Sequence, residues 1–561
     1  MSKSTSRNPQ DEFVFLPLGG SGEIGMNLNL YGYGPEDDRR WIIVDIGVTF
    51  GDDRTPGIDL IMPDPAFIEE RRDELIAIVL THAHEDHIGA LAHLWPRLRC
   101  PVYATPFTAA MVRGKLIEAG IEAEVPMHII PLGHRFELGP FDIELVTLTH
   151  SILEPNALAI RTPLGLVLHT GDWKIDPDPV VGGDIDEARL RAIGDEGVRA
   201  IVCDSTNVFT PGTSGSEADV AASLIELLGQ CEGRVAVTTF ASNVARLESI
   251  IRAGDAVGRH PVLVGRSMHR VVAAAREAGY LHDLPKIVSE DDAGYLPREN
   301  VLFICTGSQG EPRAALARIA EDSHPSIVLE KGDTVIFSSR VIPGNETSIF
   351  DLQNRLAERG IRIVTEKDHF VHVSGHPCRD ELAAMYQWIR PEVSIPVHGE
   401  ARHLAEHAAL ARELQVPEQV VVRNGLMVRL APGAAEVIDE APSGRLYLDG
   451  EVLTGEDEGA VQERRRLAFA GSVFVSVVLD GKGEVRGEPQ VRLMGLPEED
   501  SHGVAFEDRA LDAVDEAFDR LPKKRRGNDD DVAEFLRRAV RGALRREWGK
   551  KPQVEVVVTR I

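Results

Sequence analysis

Four side chains able to bind a divalent metal fall within six positions of the segment THAHEDHIG: His82, His84, Asp86 and His87, in the pattern H-x-H-x-D-H. They directly follow the apolar run LIAIVL. A strand there puts His82 and His84 on one side, and the turn that follows brings Asp86 and His87 beside them. Three imidazoles and a carboxylate are typical donors for zinc, and four of them can serve two neighbouring ions. A single histidine in a polar loop would be unremarkable chemically; a cluster of this density after a strand points to metal chemistry. Three further donors stand in the same context. His150 ends FDIELVTLTH, Asp172 follows GLVLHTG, and His398 follows SIPV in IPVHGE. His93, His134, His169, His269 and His403 lack it and are read as structural.

Strands must deliver these donors to one place. Residues 13 to 205 read as short apolar or β-branched runs (FVFLPL, WIIVDIGV, LIAIVLTH, GLVLHTGD, RAIVCDST) separated by Gly, Pro and acidic turns. Side chains at strand ends are held by the sheet yet face open space. From 206 to 370 the pattern changes to helices (EADVAASLIELLGQ, HRVVAAAREAGYL) alternating with apolar strands (RVAVTTF, NVLFICTG, DTVIFSS), which implies a parallel sheet. Histidine-rich segments return over 371–443, so the chain re-enters its first domain there. Residues 444–469 read as a linker with a short ordered stretch, and 470–561 as a small α+β domain with local basic charge at KKRR, 523–526, and at Arg545 and Arg546.

One motif points elsewhere. Gly20 to Gly25 spell G-x-G-x-x-G, and Asp45 follows at the distance expected of a ribose-binding carboxylate. A dinucleotide site requires that loop to open a helix. The following residues, MNLNLYGY, then GPEDD, then WIIVDIG, instead read as a β-hairpin. The motif match is therefore accidental, and Asp45 ends the return strand.

Bulk properties bound the partners. A chain of 561 residues exceeds one core, and no run is long enough to span a bilayer as a helix. The N-terminus MSKSTSRNPQDE lacks a secretory apolar region. Five scattered cysteines without C-x-x-C suit a reducing cytoplasm and argue against a thiolate zinc cluster. A net charge of −28 argues against indiscriminate coating of nucleic acid, though not against a metal-filled groove.

With its motifs in view, the sequence resembles the metallo-β-lactamase superfamily. Asp204 in VCDSTNV, HVSGH at 372–376 and His398 in PVHGE look like the motifs of its β-CASP nucleases. LGGSGEIGMN, THAHEDHIG, HTGDWKID, FASN, CTGSQGEP, HVSGH and PVHGE together resemble the bacterial ribonuclease J family along essentially the whole chain. The implied fold is an α/β architecture: an αββα metallo-β-lactamase sandwich, an inserted β-CASP α/β domain and a small α+β C-terminal domain. The resemblance implies two zinc ions per subunit, with Mn2+ or Mg2+ able to support activity. His82, His84 and His150 would hold one ion and Asp86, His87 and His398 the other, with Asp172 between them. Asp45 would orient that shell.

The implied activity is hydrolysis of RNA phosphodiesters, 5′-to-3′ from 5′-monophosphate ends and also endonucleolytically. His376 would be the general acid, Asp86 would steer the nucleophile, and Asp204 would fix a histidine tautomer. Short Ser/Gly turns form anion-binding nests. Phe240, Ala241, Ser242 and Asn243 of FASN, with His372, Val373, Ser374, Gly375 and His376 of HVSGH, are thus candidates to cradle substrate phosphates. FASN can equally be a helix N-cap at Ser242 or Asn243. Expected partners are single-stranded RNA, further copies as a homodimer or homotetramer, and other RNA-decay proteins, with no membrane. The competing readings are a DNA-directed β-CASP nuclease and an RNA-binding scaffold subunit.

Overall fold

The computed structural model describes residues 10–342 and 344–561; most of the polar N-terminal segment, residues 1–9, lies outside the described residues. The chain forms two compact units. One ends its first part at Thr49, resumes at Met62 and closes at Arg445; the other holds Phe50–Ile61 and Leu446–Ile561.

In the first unit two sheets lie face to face. An eight-stranded sheet carries Glu12–Gly19, Leu28–Gly34, Arg40–Val44 and Leu75–Val79 as consecutive neighbours. A seven-stranded sheet carries Phe141–Thr147, Asn156–Thr162, Gly165–His169, Ala200–Asp204 and Val393–Val397. Alternate residues of both fill the space between: Phe13, Phe15, Tyr31, Ile42 and Val79 from one, Ile143, Leu158, Ile160, Val202 and Ile395 from the other. Helices Glu187–Glu196, Arg379–Ile389 and Ala401–Glu413 cover the outer face of the second sheet through Leu190, Met385 and Leu410. The result is the metallo-β-lactamase sandwich.

Strands Ala200–Asp204 and Val393–Val397 are parallel neighbours, with Ala200 opposite Val393. The β-CASP domain is inserted between them. Its five-stranded sheet is parallel throughout, ordered His260–Val264, Val301–Cys305, Val235–Thr238, Thr334–Phe337, Arg362–Val364. Buried on both faces, its strands read as continuous apolar runs such as VLFIC.

The residues after the glycine loop form the antiparallel hairpin expected of them: Leu28–Gly34 pairs with Arg40–Val44, Asn29 opposite Val44. A strand rather than a helix follows the loop, so the geometry a dinucleotide site requires is not built there.

In the second unit a sheet ordered Gln490–Met494, Ser472–Leu479, Gln553–Arg560 packs Val473, Val475 and Val477 under helices Phe506–Arg520 and Asp529–Trp548. The long helix starts at Asn528, whose side chain accepts from the Asp530 and Asp531 N–H groups. The segment read as a linker is more ordered than its composition suggests. It forms a hairpin, Arg445–Asp449 with Val452–Gly455, and a helix, Ala460–Ala470. The loop of two residues, Gly450–Glu451, is a standard hairpin connection that the surrounding acidic residues conceal. Phe50–Ile61, expected within the first domain, also groups with this second unit, where it lies in one sheet with that hairpin.

Candidate metal centre

Strand Leu75–Val79 stops just before Leu80-Thr81, and the chain turns at His84 into the short helix Glu85–Ile88. That turn is pressed against residues 46–48. The Ile46 N–H donates to the His87 carbonyl (2.7 Å), and the Val48 N–H donates to the Glu85 carbonyl (3.0 Å). Gly47 is required between them, because a Cβ there would lie 1.6 Å from the Asp86 carbonyl oxygen.

The donors from four separate stretches converge. His82, His84, His150 and Asp172 form one group, and Asp86, His87, Asp172 and His398 a second; within each, one ligand atom per residue lies within 4.8 Å of every other. In the first group His84 Nδ1 stands 3.1 Å from His82 Nε2 and 3.0 Å from His150 Nε2. In the second, Asp172 Oδ2 is 3.2 Å from His87 Nε2 and 3.4 Å from His398 Nε2, while Asp86 Oδ2 is 3.7 and 3.6 Å from the same nitrogens. Donors around a tetrahedral zinc at its usual bond lengths are separated by about 3.4 Å.

Hydrogen bonds outside the centre decide which nitrogens face it. Asp45, fully buried, accepts from the Thr81 N–H and Thr81 Oγ1 (both 2.8 Å) and from His87 Nδ1 (2.7 Å). With its proton spent on Asp45, the Thr81 hydroxyl is an acceptor for His82 Nδ1 (3.0 Å). His150 Nδ1 donates to the Gly375 carbonyl, and His398 Nδ1 to Asn27 Oδ1 (3.1 Å). His82, His150 and His398 are thereby left with Nε2 toward the donor cluster. His87 Nε2 faces it as well, 3.2 Å from Asp172 Oδ2; burial works to lower the His87 pKa, but Asp172, Asp86 and Asp45 outweigh it and raise it well above the usual imidazole value, so a metal there would displace a proton. Burial pushes the His82, His84 and His150 pKa values down, His84 to about 4. These rings are therefore in the neutral form that binds a metal. Burial works against ionisation of Asp172, but the His398 and His87 rings hold it well below the usual carboxylate range. Its second oxygen, Oδ1, is buried without a hydrogen-bond partner. Unpaired nitrogens facing one another and an orphaned carboxylate oxygen are costly unless a cation satisfies them. The residues present fit a metal.

Two residues here hold left-handed backbone, Asp45 at φ 64° and His398 at φ 52°. That costs on the order of 1 kcal/mol each. The Asp45 N–H donates to the Val79 carbonyl (3.0 Å), and the His398 N–H to the Gly20 carbonyl (2.7 Å). The glycine loop is thus a clamp: Ser21–Gly22 pairs in parallel with Gly399–Glu400. Gly20 itself sits at φ 84°, where a Cβ would strike Asn27 Oδ1 at 2.2 Å.

HVSGH lies against the centre. His376 Nδ1 bonds Asp204 Oδ2 (2.8 Å) and stands 3.8 Å from Asp172 Oδ2. Burial draws its pKa down, but Asp204, Asp172 and Asp86 outweigh that and raise it to about 9. Ser374 Oγ accepts from Asn207 Nδ2 (2.7 Å) and the His376 N–H (3.2 Å). Val373 is buried, and His372 Nδ1 is buried with no hydrogen-bond partner. FASN is built differently. Asn243 caps helix Val244–Ala256, accepting from the Arg246 N–H (2.9 Å), and its Nδ2 donates to Glu217 (3.2 Å). Its side chain is fully used, while Phe240, Ala241 and Ser242 are half-buried.

Asn27, Thr81 and Asn207 lie inside LGGSGEIGMN, THAHEDHIG and VCDSTNV, but their supporting roles are not legible in the sequence, since their partners lie far along the chain. His93, His134, His169, His269 and His403 enter none of the donor groups among the described residues. His169 is buried with Nδ1 3.0 Å from the Tyr31 hydroxyl. All five cysteines are free and buried. Among the described residues no helix is long and apolar enough to cross a membrane.

The chain is similar to known proteins. Family models match at residues 40–190 (beta-lactamase superfamily domain), 232–356 (ribonuclease J, beta-CASP domain), 360–422 (Zn-dependent metallo-hydrolase RNA specificity domain) and 459–561 (ribonuclease J C-terminal domain). Ribonuclease J of Sinorhizobium meliloti is 52% identical over 551 residues, covering 98% of each chain. Ribonuclease J of Mycolicibacterium smegmatis is 39% identical, covering 97% of this chain and 96% of its own. That of Corynebacterium glutamicum is 38% identical, covering 97% of this chain and 76% of its own. A donor cluster suited to metal, on a sandwich interrupted by a β-CASP domain and matched along its whole length, places this chain in the ribonuclease J family of metal-dependent ribonucleases.

Proposed function

We propose that this ribonuclease uses two zinc ions to cut single-stranded RNA, 5′-to-3′ from 5′-monophosphate ends and also internally. It would act in the cytoplasm, in RNA maturation and decay, as a homodimer or homotetramer. The observation that carries the two-ion reading is that Asp172 belongs both to the group of His82, His84 and His150 and to the group of Asp86, His87 and His398; a third group, with Asp204 and His376, has only one histidine. His82, His84 and His150 would hold one ion, Asp86, His87 and His398 the other. Two ions at such a site acidify a water and neutralise phosphate oxygens.

The chain's own groups do the rest. His376, fixed through Nδ1 by Asp204, keeps its other nitrogen available to protonate the departing 3′-oxygen. Asp86, partly exposed beside His87 and His398, is placed to orient the attacking water. The main-chain amides of Phe240–Ser242 and of 372–376 would receive substrate phosphates. Asn243 contributes by capping, its side chain being committed elsewhere. In this reading the domain limits are 206–370 for the insert and 371–443 for the return of the sandwich.

The test compares 5′-monophosphate, 5′-triphosphate and 5′-hydroxyl RNAs with matched DNA, in zinc, manganese and magnesium, alongside metal analysis of the purified protein. The expected result is two metals per chain and fastest digestion of 5′-monophosphorylated RNA, lost on chelation. Equal cutting of all ends would overturn the 5′ preference, and equal cutting of DNA would overturn RNA specificity. RNA binding without cleavage would favour a scaffold.

A further inference from the structure

The C-terminal unit holds a surface that the proposed reaction does not use. Helix Ala460–Ala470 turns Arg465, Arg466 and Phe469 to solvent, Phe469 with 68% of its surface exposed. Spacings of three and four residues put all three on one helix face. Lys550 Nζ donates to the Phe469 carbonyl (3.0 Å), 4.6 Å from the centre of that ring and 5.2 Å from the Trp548 ring. A cation therefore stands between two aromatic rings. Arg545 precedes Trp548 by three residues on the long helix, and both Arg545 and Arg546 are exposed.

Two features of this surface are independent of each other. Basic residues dominate it: residues 460–470 and 541–552 hold eight Lys and Arg against two Asp and Glu, in a chain with 61 against 89. Phe469 is left largely exposed. Folding uses part of this surface, Arg464 pairing with Asp449 and Lys550 with the Phe469 carbonyl, but Arg465, Arg466, Arg545 and Arg546 are exposed, and an exposed phenyl ring forgoes burial. Together they match one ligand chemistry, a flexible polyanion carrying flat rings, because phosphates seek the cations and unpaired bases stack on the aromatic side chain. An acidic protein surface would use the charges and leave Phe469 without a role.

We propose that this surface is a second binding site for single-stranded RNA, independent of the metal centre, with phosphates on Arg545, Arg546 and Lys550 and a base on Phe469. It rests on RNA being the substrate, as proposed above. Its consequence is that long RNAs are retained through a contact that very short ones do not need.

The experiment uses the full chain with metal chelated, so that binding is read without cleavage. Fluorescence anisotropy with a single-stranded RNA of about 20 nucleotides compares wild type, the double variant Arg545→Glu/Arg546→Glu, and Phe469→Ala. The double variant should bind at least tenfold more weakly, with a log–log salt slope shallower by about 1.4, two phosphate contacts at ~0.7 each. Phe469→Ala should weaken binding roughly five- to a hundredfold with little change in slope. With metal restored, both should cut a dinucleotide at the wild-type rate. Unchanged affinity in both variants overturns the site. Loss in the arginine variant alone overturns base stacking and leaves a general polyanion surface. Failure of the metal-centre reading looks different: wild type would bind this RNA and never cut it.

Discussion

The two donor groups that could hold a metal share Asp172 but are held by different parts of the chain. In the half made by His82, His84 and His150, the His150 ring is set by the main-chain carbonyl of Gly375, which belongs to the segment returning from the β-CASP insert. In the half made by Asp86, His87 and His398, the His398 ring is set by the Asn27 side chain, next to the glycine loop that also anchors the His398 N–H. One half thus depends on where the 371–376 segment lies, and with it the surface expected to receive substrate. The other depends on a hairpin within the sandwich alone. Asp45 reaches both, gripping His87 directly and His82 through Thr81. The two donor groups share a carboxylate, yet their supports lie in different segments of the sandwich, one just after the insert and one beside the glycine loop.

That contrast can be broken or sharpened by mutation. The largest effect is expected for Asp172→Ala, which removes a donor from both groups: metal content should fall below one per chain and cleavage by on the order of a thousandfold or more. Retention of two metals would refute the sharing. Asp45→Asn should come next, with metal affinity weakened about 10- to 100-fold at both positions, read by competition with a chromogenic chelator. Asn27→Ala should weaken only the His398 half, by roughly tenfold, so that one metal leaves before the other on titration with chelator. Simultaneous loss of both ions would show that the halves are not separately supported. The smallest effect is expected for Ser374→Ala, which deletes the acceptor for Asn207 Nδ2 and the His376 N–H. Each such bond is worth about 1 kcal/mol, so a several-fold rise in KM for RNA with metal content unchanged is expected. A drop in metal content would mean that this segment supports His150 more tightly than the single Gly375 contact implies.

Much of the centre is legible in the sequence because its chemistry is local. His82, His84, Asp86 and His87 are neighbours in the chain, and His150, Asp172 and His398 each follow an apolar strand, so type and position agree. The hairpin after the glycine loop is equally readable, from alternation alone. What is not legible depends on pairs remote in sequence. Asn27 meets His398 across 371 residues, and His150 meets Gly375 across 225. Asn243 is as suited by type to bind phosphate as to cap a helix, and only its contact with Glu217 commits its amide. The 444–469 segment looks less ordered than it is because its acidic residues mask a two-residue hairpin loop.

By itself the sequence determined which donors exist, that they follow strands, and that helix–strand alternation interrupts the sandwich, since strand and helix periodicities are properties of near neighbours. Only the tertiary structure decided which nitrogen of each ring faces the centre, which remote groups hold those rings, and that Phe50–Ile61 groups with the C-terminal unit. A ring's tautomer is set by whatever accepts its other proton, and that acceptor is present only if two distant segments meet. Both depend on long-range packing, which no local pattern encodes.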